Sequence, residues 1–322
     1  MNRIAVIGAG AWGTALAIQA ARAGNAVTLW VRDPARAREI DATRESPRLP
    51  GARLPEVICA TAEMPDADAV LLAVPMQHLR GIAALVPPGC APLVACAKGV
   101  EQGTLRLPLE VLDELHPGRP AAVLTGPNFA REIAAGKPAA TVLAAIDPSL
   151  RARLAGLLGT PAFRIYGNDD PTGAQIGGAA KNVVAIAAGA VIGAGLGENA
   201  RAGLITRGLA ELGRLAVVLG GRAETVMGLS GLGDLLLTCT SAASRNFSLG
   251  LALGRGERLA DVLASRSTVA EGVTTAPALV ARAGTTELPI CHAVAELVAE
   301  RATLETIITR LLNRPRREEY GR

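Results

Sequence analysis

The sequence predicts an α/β N-terminal doubly wound domain over residues 1–170 and an all-α C-terminal domain over residues 171–322. Three observations predict it. Short β-rich runs alternate with helical stretches up to about Tyr166, a glycine-rich turn follows the first run, and from Pro171 the pattern becomes Ala/Leu/Val-rich helix with no convincing strand. A chain of 322 residues also suits two cores, at ~150 residues per domain.

The strand candidates, in order, are RIAVIG, AVTLWV, EVICA, AVLLAV, PLVACA, AAVLTG and ATVLAA, with FRIY as a last one. Several are continuous apolar runs, as expected where both faces of a parallel sheet are covered. Helical stretches such as Gly13–Ala23 and Leu150–Leu158 lie between some of them. The boundary falls at a helix start near Pro171, a residue suited to the first helical position. Beyond it, Gly203–Leu219, Ser248–Ala252, Leu259–Ala264, Ala276–Ala283 and Ile290–Arg301 carry helical patterns. The apolar run Val183–Leu196 is too short to span a bilayer at a rise of ~1.5 Å per residue, and reads as a buried core helix.

Composition narrows the function. Half the residues are hydrophobic and 19% are charged, which describes a folded globular protein. The net charge of +4 is not gathered in a block, and 2% aromatics leave no stacking platform for single-stranded nucleic acid. Five scattered cysteines without a CxxC point to reduced thiols and a cytoplasmic location. Three distant histidines give no metal-ligand spacing, so no metal is expected. The opening MNRIAVIGAG enters a strand at once, and no signal peptide is expected.

IAVIGAGAWGTALA places Gly8, Gly10 and Gly13 in GxGxxG spacing, after a strand and at the start of a helix. Gly8 permits the tight turn, Gly10 lets a pyrophosphate approach the backbone, and Gly13 lets helix and strand pack closely. The phosphates then meet the positive end of the helix. This is the Rossmann-like arrangement for NAD or NADP. About twenty residues on, Asp33 suits a ribose 2′-hydroxyl and Arg32 a 2′-phosphate. Asp33-Pro34 equally suits a plain turn into the next helix.

In such sheets ligands lie beyond the carboxyl ends of the strands. Lys98 follows PLVACA, and Gly126, Pro127 and Asn128 follow AAVLT; a solvated turn lysine is the plainer account of Lys98. His78 reads as a surface residue. In the helical half, Lys181 is an isolated charge in QIGGAAKNVVAIAAG, where it either lays its stem on apolar surface or faces a reacting group. Asp234 sits in GLGDLLL and needs a partner if buried. Ser244-Arg245-Asn246 opens a helix, and the arginine fork suits phosphate. Glu271 suits a helix cap as well as a ligand.

The ordered set GAGAWGTALA, AKG, GPNFA, GGAAKNVVAIAAG, GLGDL, SRN and EGV resembles the NAD(P)-dependent glycerol-3-phosphate dehydrogenases of bacterial type, from Ile4 to about Pro289. The resemblance implies that Lys181 gives or takes the proton. It implies substrate contacts at Lys98, Gly126, Asn128, Asp234, Ser244, Arg245 and Asn246. Nucleotide contacts are implied at Ala11, Trp12, Arg32, Ala130, Val269 and Glu271, with Lys98 and Arg245 serving both ligands. Ala11 and Asn128 depart from the family, which often has hydroxyl side chains there.

The implied reaction is reversible reduction of dihydroxyacetone phosphate to glycerol-3-phosphate, with NAD or NADP and a slight lean to NADP. A β-hydroxyacid dehydrogenase is the nearest alternative, and a nucleotide-sensing regulator without turnover a more distant one. The partners expected are a small phosphorylated substrate and, from the apolar helical surfaces, a second copy in a homodimer. Neither nucleic acid nor a membrane span is expected.

Overall fold

The computed structural model describes residues 1–266, 270–315 and 318. The chain begins with β1 (Arg3–Ile7), α1 (Ala11–Arg22), β2 (Ala26–Trp30), α2 (Pro34–Thr43), β3 (Ile58–Thr61) and β4 (Ala69–Leu72). It continues through α3 (Met76–Ala83), β5 (Leu93–Ala95), α4 (Pro108–Leu115) and β6 (Ala121–Thr125). Next come α5 (Ala130–Ala134), β7 (Ala139–Ala144), α6 (Pro148–Leu158) and β8 (Phe163–Asn168). The eight strands form one sheet, ordered β3-β2-β1-β4-β5-β6-β7-β8. Each of the eight runs picked out in the sequence overlaps one of them.

Successive residues of β1 face opposite sides of this sheet, as a pleated strand requires. Ile4 and Val6 enter a core shared with α1. Ala5 and Ile7 enter a second core with Met76 and Leu79 of α3 and Val111 of α4. Both faces are therefore covered, which is why the strands read as continuous apolar runs.

One expectation is corrected. The sheet is not wholly parallel: β7 runs antiparallel to β6, with Val123 opposite Ala144 and Thr125 opposite Val142. β8 then pairs parallel to β7. The connection between β6 and β7 holds α5, and the chain turns back beside β6.

From Pro171 onward the described residues contain helices and no strand. They are α7 (Pro171–Gly193), α8 (Gly197–Val218), α9 (Ala223–Val226), a π-turn at Leu229–Gly233, α10 (Asp234–Thr240) and α11 (Arg245–Gly254). After these come α12 (Leu259–Ala264), α13 (Gly272–Ala283), α14 (Pro289–Val298) and α15 (Leu304–Leu312). Pro171 occupies the first turn of α7, and Asp170 caps it by accepting the Gly173 N–H at 2.8 Å. The other oxygen of Asp170 accepts the Arg222 N–H at 2.8 Å, which ties the start of α7 to the turn before α9.

α7 is the axis of the helical part, packed against α8, α10, α11, α13 and α14. Every residue from Gly173 to Ile186 is buried. At 23 residues the helix is longer than the run Val183–Leu196, and by length and apolar composition it would cross a bilayer. The length argument made from sequence therefore fails. The reading as a core helix stands on the neighbours that surround it.

α7 and α11 cross at glycines. A Cβ on Gly250 would lie 1.9 Å from the Ile186 carbonyl oxygen, and one on Gly189 2.0 Å from that of Phe247. Backbone cannot yield at those distances, so Gly250→Ala should force the helices apart and destabilise the fold by ~2 kcal/mol or more. A urea denaturation midpoint unchanged from wild type would show that the crossing is loose.

Candidate active site where the sheet meets the helices

The glycine turn after β1 has the geometry its spacing implies. Gly8 adopts φ +111, and a Cβ there would meet the Ala73 carbonyl oxygen at 2.7 Å. A Cβ on Gly13 would lie 1.8 Å from the Gly8 carbonyl oxygen, so only glycine allows α1 to pack so closely. Gly10 differs: nothing lies within 4 Å of where its Cβ would be. It is the N-cap of α1 and offers no side-chain cap, which leaves the first-turn N–H groups open to a ligand. Ala11 and Trp12 are half-buried there, and the Trp12 Nε1 is buried with no hydrogen-bond partner.

Arg32 is exposed just beyond β2. Asp33 caps α2, accepting the Ala35 N–H at 2.9 Å, so the turn account of Asp33-Pro34 is realised. Ala130 opens α5 and packs half-buried on the core that includes α1. Val269 lies outside the described residues.

In the helical part, Lys181 projects from the middle of α7 to the carboxylate of Asp234. Its Nζ lies 2.5 Å from Asp234 Oδ1 and 3.0 Å from Thr238 Oγ1. Lys98, from the loop after β5, reaches the other oxygen: its Nζ is 2.5 Å from Asp234 Oδ2 and 3.0 Å from the Gly126 carbonyl oxygen. The carboxylate residue is 1% exposed. Asp234 is the first residue of α10, directly after the π-turn, a distortion often found at functional sites. Thr238 lies one turn further and donates its own proton to the Asp234 carbonyl at 2.6 Å, which leaves its oxygen lone pairs facing Lys181.

Burial pulls the Lys181 ammonium down to about 8, against the upward pull of Asp234 and with a further downward push from Lys98. Glu271 is nearby. It accepts the Met76 N–H at 3.1 Å, across from α13 to α3. Burial raises its pKa, while that bond and the charges of Arg245, Lys181 and Lys98 lower it.

At the start of α11, Ser244 is the N-cap, accepting the Phe247 N–H at 3.2 Å. Arg245 is exposed, and its guanidinium makes no hydrogen bond or ion pair among the described residues. Asn246 is buried and its amide is engaged: Nδ2 donates to Asn182 Oδ1 at 2.9 Å, and Oδ1 accepts the Gly272 N–H at 2.9 Å. On the sheet side Gly126 adopts φ +150, and Asn128 Nδ2 donates to Thr141 Oγ1 at 2.9 Å. Asn128 Oδ1 is buried without a partner.

The structure thus draws Lys98, Gly126, Lys181 and Asp234 into one hydrogen-bonded cluster, with Glu271 and Arg245 close enough to act on its charges. Gly8, Gly10, Ala11, Trp12 and Gly13 form a separate cradle at the start of α1, and Arg32 stands apart at the end of β2. Sequence reasoning missed Thr238 and Asn182. The first was signalled by its spacing of one turn from Asp234; the second carried no signal, since its partner Asn246 is 64 residues away.

A dinucleotide fits the cradle on two observations: the open space over Gly10, and the unpartnered Trp12 Nε1 beside uncapped helix N–H groups. A cradle for phosphates and a buried amine are what a nicotinamide-dependent oxidoreductase needs. That is the class which fold and site define.

Comparison with known proteins narrows it. The model for the NAD-dependent glycerol-3-phosphate dehydrogenase N-terminus matches residues 3–151, and that for the C-terminus of the same family matches residues 170–309. The chain belongs to this family. It is 54% identical over 318 residues to a glycerol-3-phosphate dehydrogenase [NAD(P)+] of Gluconobacter oxydans, covering 97% of each chain. It is 57% identical to one from Acidiphilium cryptum, covering 98% of each. Among solved structures, a glycerol-3-phosphate dehydrogenase from Coxiella burnetii superposes with a TM-score of 0.92 at 36% identity, over 97% of this chain and 99% of that one.

Removing the negative charge of the cluster should be severe. Asp234→Asn leaves the buried Lys181 and the partly buried Lys98 ammonium groups without this counter-ion, and breaking a buried pair typically costs ~3–5 kcal/mol. The expected outcome is a large fall in the guanidinium chloride midpoint, relieved when Lys181→Met is added. If the single variant were as stable as wild type, the cluster would not be the buried ionic unit its distances describe.

Proposed function

We propose that this chain reduces dihydroxyacetone phosphate to sn-glycerol 3-phosphate, reversibly, with NADH or NADPH, and so supplies the precursor of phospholipid backbones. The observation that carries the reading is the buried ammonium of Lys181, held by Asp234 and Thr238. Residues 1–170 act as the dinucleotide-binding domain and residues 171–322 as the substrate domain. Gly8, Gly10, Ala11, Trp12 and Gly13 receive the pyrophosphate, with Ala130 and Glu271 lining the rest of the nucleotide site. Arg32 faces the ribose. Because Asp33 is engaged in capping α2, a 2′-phosphate is admitted there, which supports use of NADPH.

The nicotinamide, when bound, supplies the hydride. Lys181 supplies the proton, handing it from Nζ to the oxygen that was the ketone. Asp234 holds that ammonium in place and, with Lys98, keeps its orientation fixed. The free guanidinium of Arg245 and the first-turn N–H groups of α11 grip the phosphate, and Ser244 and Asn246 fix the helix start that presents them. Lys98, Gly126 and Asn128 face the substrate from the sheet side. A homodimer is supported by exposed Val217 and Val218 at the end of α8, and a reducing, cytoplasmic setting by five free cysteines.

The test of the proton donor is Lys181→Met. Turnover should fall by ~10²-fold or more while nucleotide binding stays near wild type. The pH dependence gives an independent sign. Reduction needs the ammonium, so its kcat/KM should fall as pH rises through about 8, whereas glycerol-3-phosphate oxidation needs the neutral amine and should rise through the same value. Two profiles that move in the same direction would remove Lys181 from the proton step.

Arg245→Lys separates phosphate recognition from catalysis. A guanidinium donates two parallel hydrogen bonds to phosphate, and an ammonium is a point charge on a flexible stem. Steady-state kinetics should show a large rise in KM for dihydroxyacetone phosphate and a much smaller loss toward unphosphorylated dihydroxyacetone. Equal losses for both ketones would place the phosphate elsewhere.

A further inference from the structure

α7 approaches both of its site-bearing neighbours through consecutive glycines. A Cβ on Gly177 would stand 2.6 Å from the Ser230 carbonyl oxygen and 2.9 Å from the Gly231 Cα, inside the π-turn that leads to Asp234. A Cβ on Gly178 would stand 2.7 Å from Thr125 Oγ1, at the end of β6, and 3.5 Å from Lys98 Cγ. Lys181 lies one turn further along the same helix. The three charged groups therefore ride on three bodies that touch at these two glycines: α7, the π-turn with α10, and the strand ends that carry Lys98 and Thr125. Both lysine–carboxylate distances are 2.5 Å, so a shift of even a few tenths of an ångström outward lengthens a bond.

The two stops differ in kind. On the π-turn side Gly177 meets backbone, which no side-chain change can remove. On the sheet side Gly178 meets the hydroxyl of a threonine that is 2% exposed and has no hydrogen-bond partner for its Oγ1; the neighbouring Thr141 hydroxyl donates to the Thr125 backbone carbonyl instead. Thr125 Oγ1 thus acts on its surroundings through its volume.

We propose that Gly177 and Gly178 are positioning residues that set how closely α7 presents Lys181 to Asp234 and Lys98, with Thr125 Oγ1 as the stop on the sheet side. The inference rests on Lys181 as the proton donor. Helix propensity works against any trivial explanation, since Gly→Ala inside a helix favours the helix. A loss of activity in such a variant comes from contact, not from a weakened α7.

The experiment is a double-mutant cycle on the full chain, with kcat for dihydroxyacetone phosphate and NADH affinity measured for each variant. Gly178→Ala should lower kcat by about tenfold or more, with NADH affinity within about twofold of wild type, since misplacement of a reacting group by ~1 Å can cost ~10²-fold. In a Thr125→Ala background the same substitution should cost less than about threefold, because the atom it would strike is gone. Gly177→Ala should lose activity equally in both backgrounds. Equal loss for Gly178→Ala with and without Thr125→Ala overturns the proposal, as does rescue of Gly177→Ala by Thr125→Ala. If Gly178→Ala alone does not fold, the double variant measured against Thr125→Ala decides the matter by the same criterion. Failure of the proton-donor reading shows separately, as wild-type turnover in Lys181→Met.

Discussion

The carboxylate of Asp234 between two ammonium groups is the constraint around which the rest of the molecule is arranged. Taking ions out of water costs several kcal/mol each, and attraction offsets that only where geometry is good and every remaining donor is satisfied. Here each carboxylate oxygen receives one lysine, Lys181 also bonds Thr238, and Lys98 also bonds the Gly126 carbonyl. The three charges come from the loop after β5, the middle of α7 and the first residue of α10. A single carboxylate therefore fixes the sheet, the central helix and the π-turn against one another. One negative charge against two positive ones also leaves an excess of positive charge in a largely buried cluster, a setting that favours anionic ligands.

Much of the fold was legible because its physics is local. A strand covered on both faces must be apolar along its length, and several of the runs are of this kind; each of the eight overlaps a strand, although β3 and β8 are only partly buried. The direction of β7 was not legible, since an apolar run looks the same whichever way it points. Direction is set by how the strand pairs with its neighbours in the folded sheet, which its own composition does not carry. The start of α7 near Pro171 was legible, but its apolar run Val183–Leu196 did not show the helix's length, because its first turns, PTGAQIGGAAK, contain glycines and polar residues that break up the run while remaining helical.

The site divides in the same way. Lys181 stood out because a lone charge in apolar sequence demands a partner. Asp234 stood out because an acid among glycines and leucines does too. What joins them to the rest was hidden. The Asn182–Asn246–Gly272 relay ties the residue after Lys181 to the residue after Arg245 and to the residue after Glu271. Nothing in the separate segments announces that their neighbours interlock. Ser244 and Asp33 illustrate the converse, because each suits a ligand and a helix cap equally well on paper, and the folded chain places both as caps.

α7 shows why composition alone misleads. Glycine is among the weakest helix formers, at ~1 kcal/mol below alanine per residue, and this helix contains Gly173, Gly177, Gly178, Gly189 and Gly193. On propensity it is poor, and on hydropathy it resembles a membrane span. Its stability must come from its surroundings, and the glycines are what admit those surroundings: Gly189 lets α11 approach, Gly177 the π-turn, and Gly178 the end of β6. Larger apolar residues at these positions would raise both helix propensity and hydropathy. They would also hold Asp234 and Lys98 too far from Lys181 for a shared carboxylate. The small residues that weaken α7 as an isolated helix are thus what allow its one charge to be buried and paired.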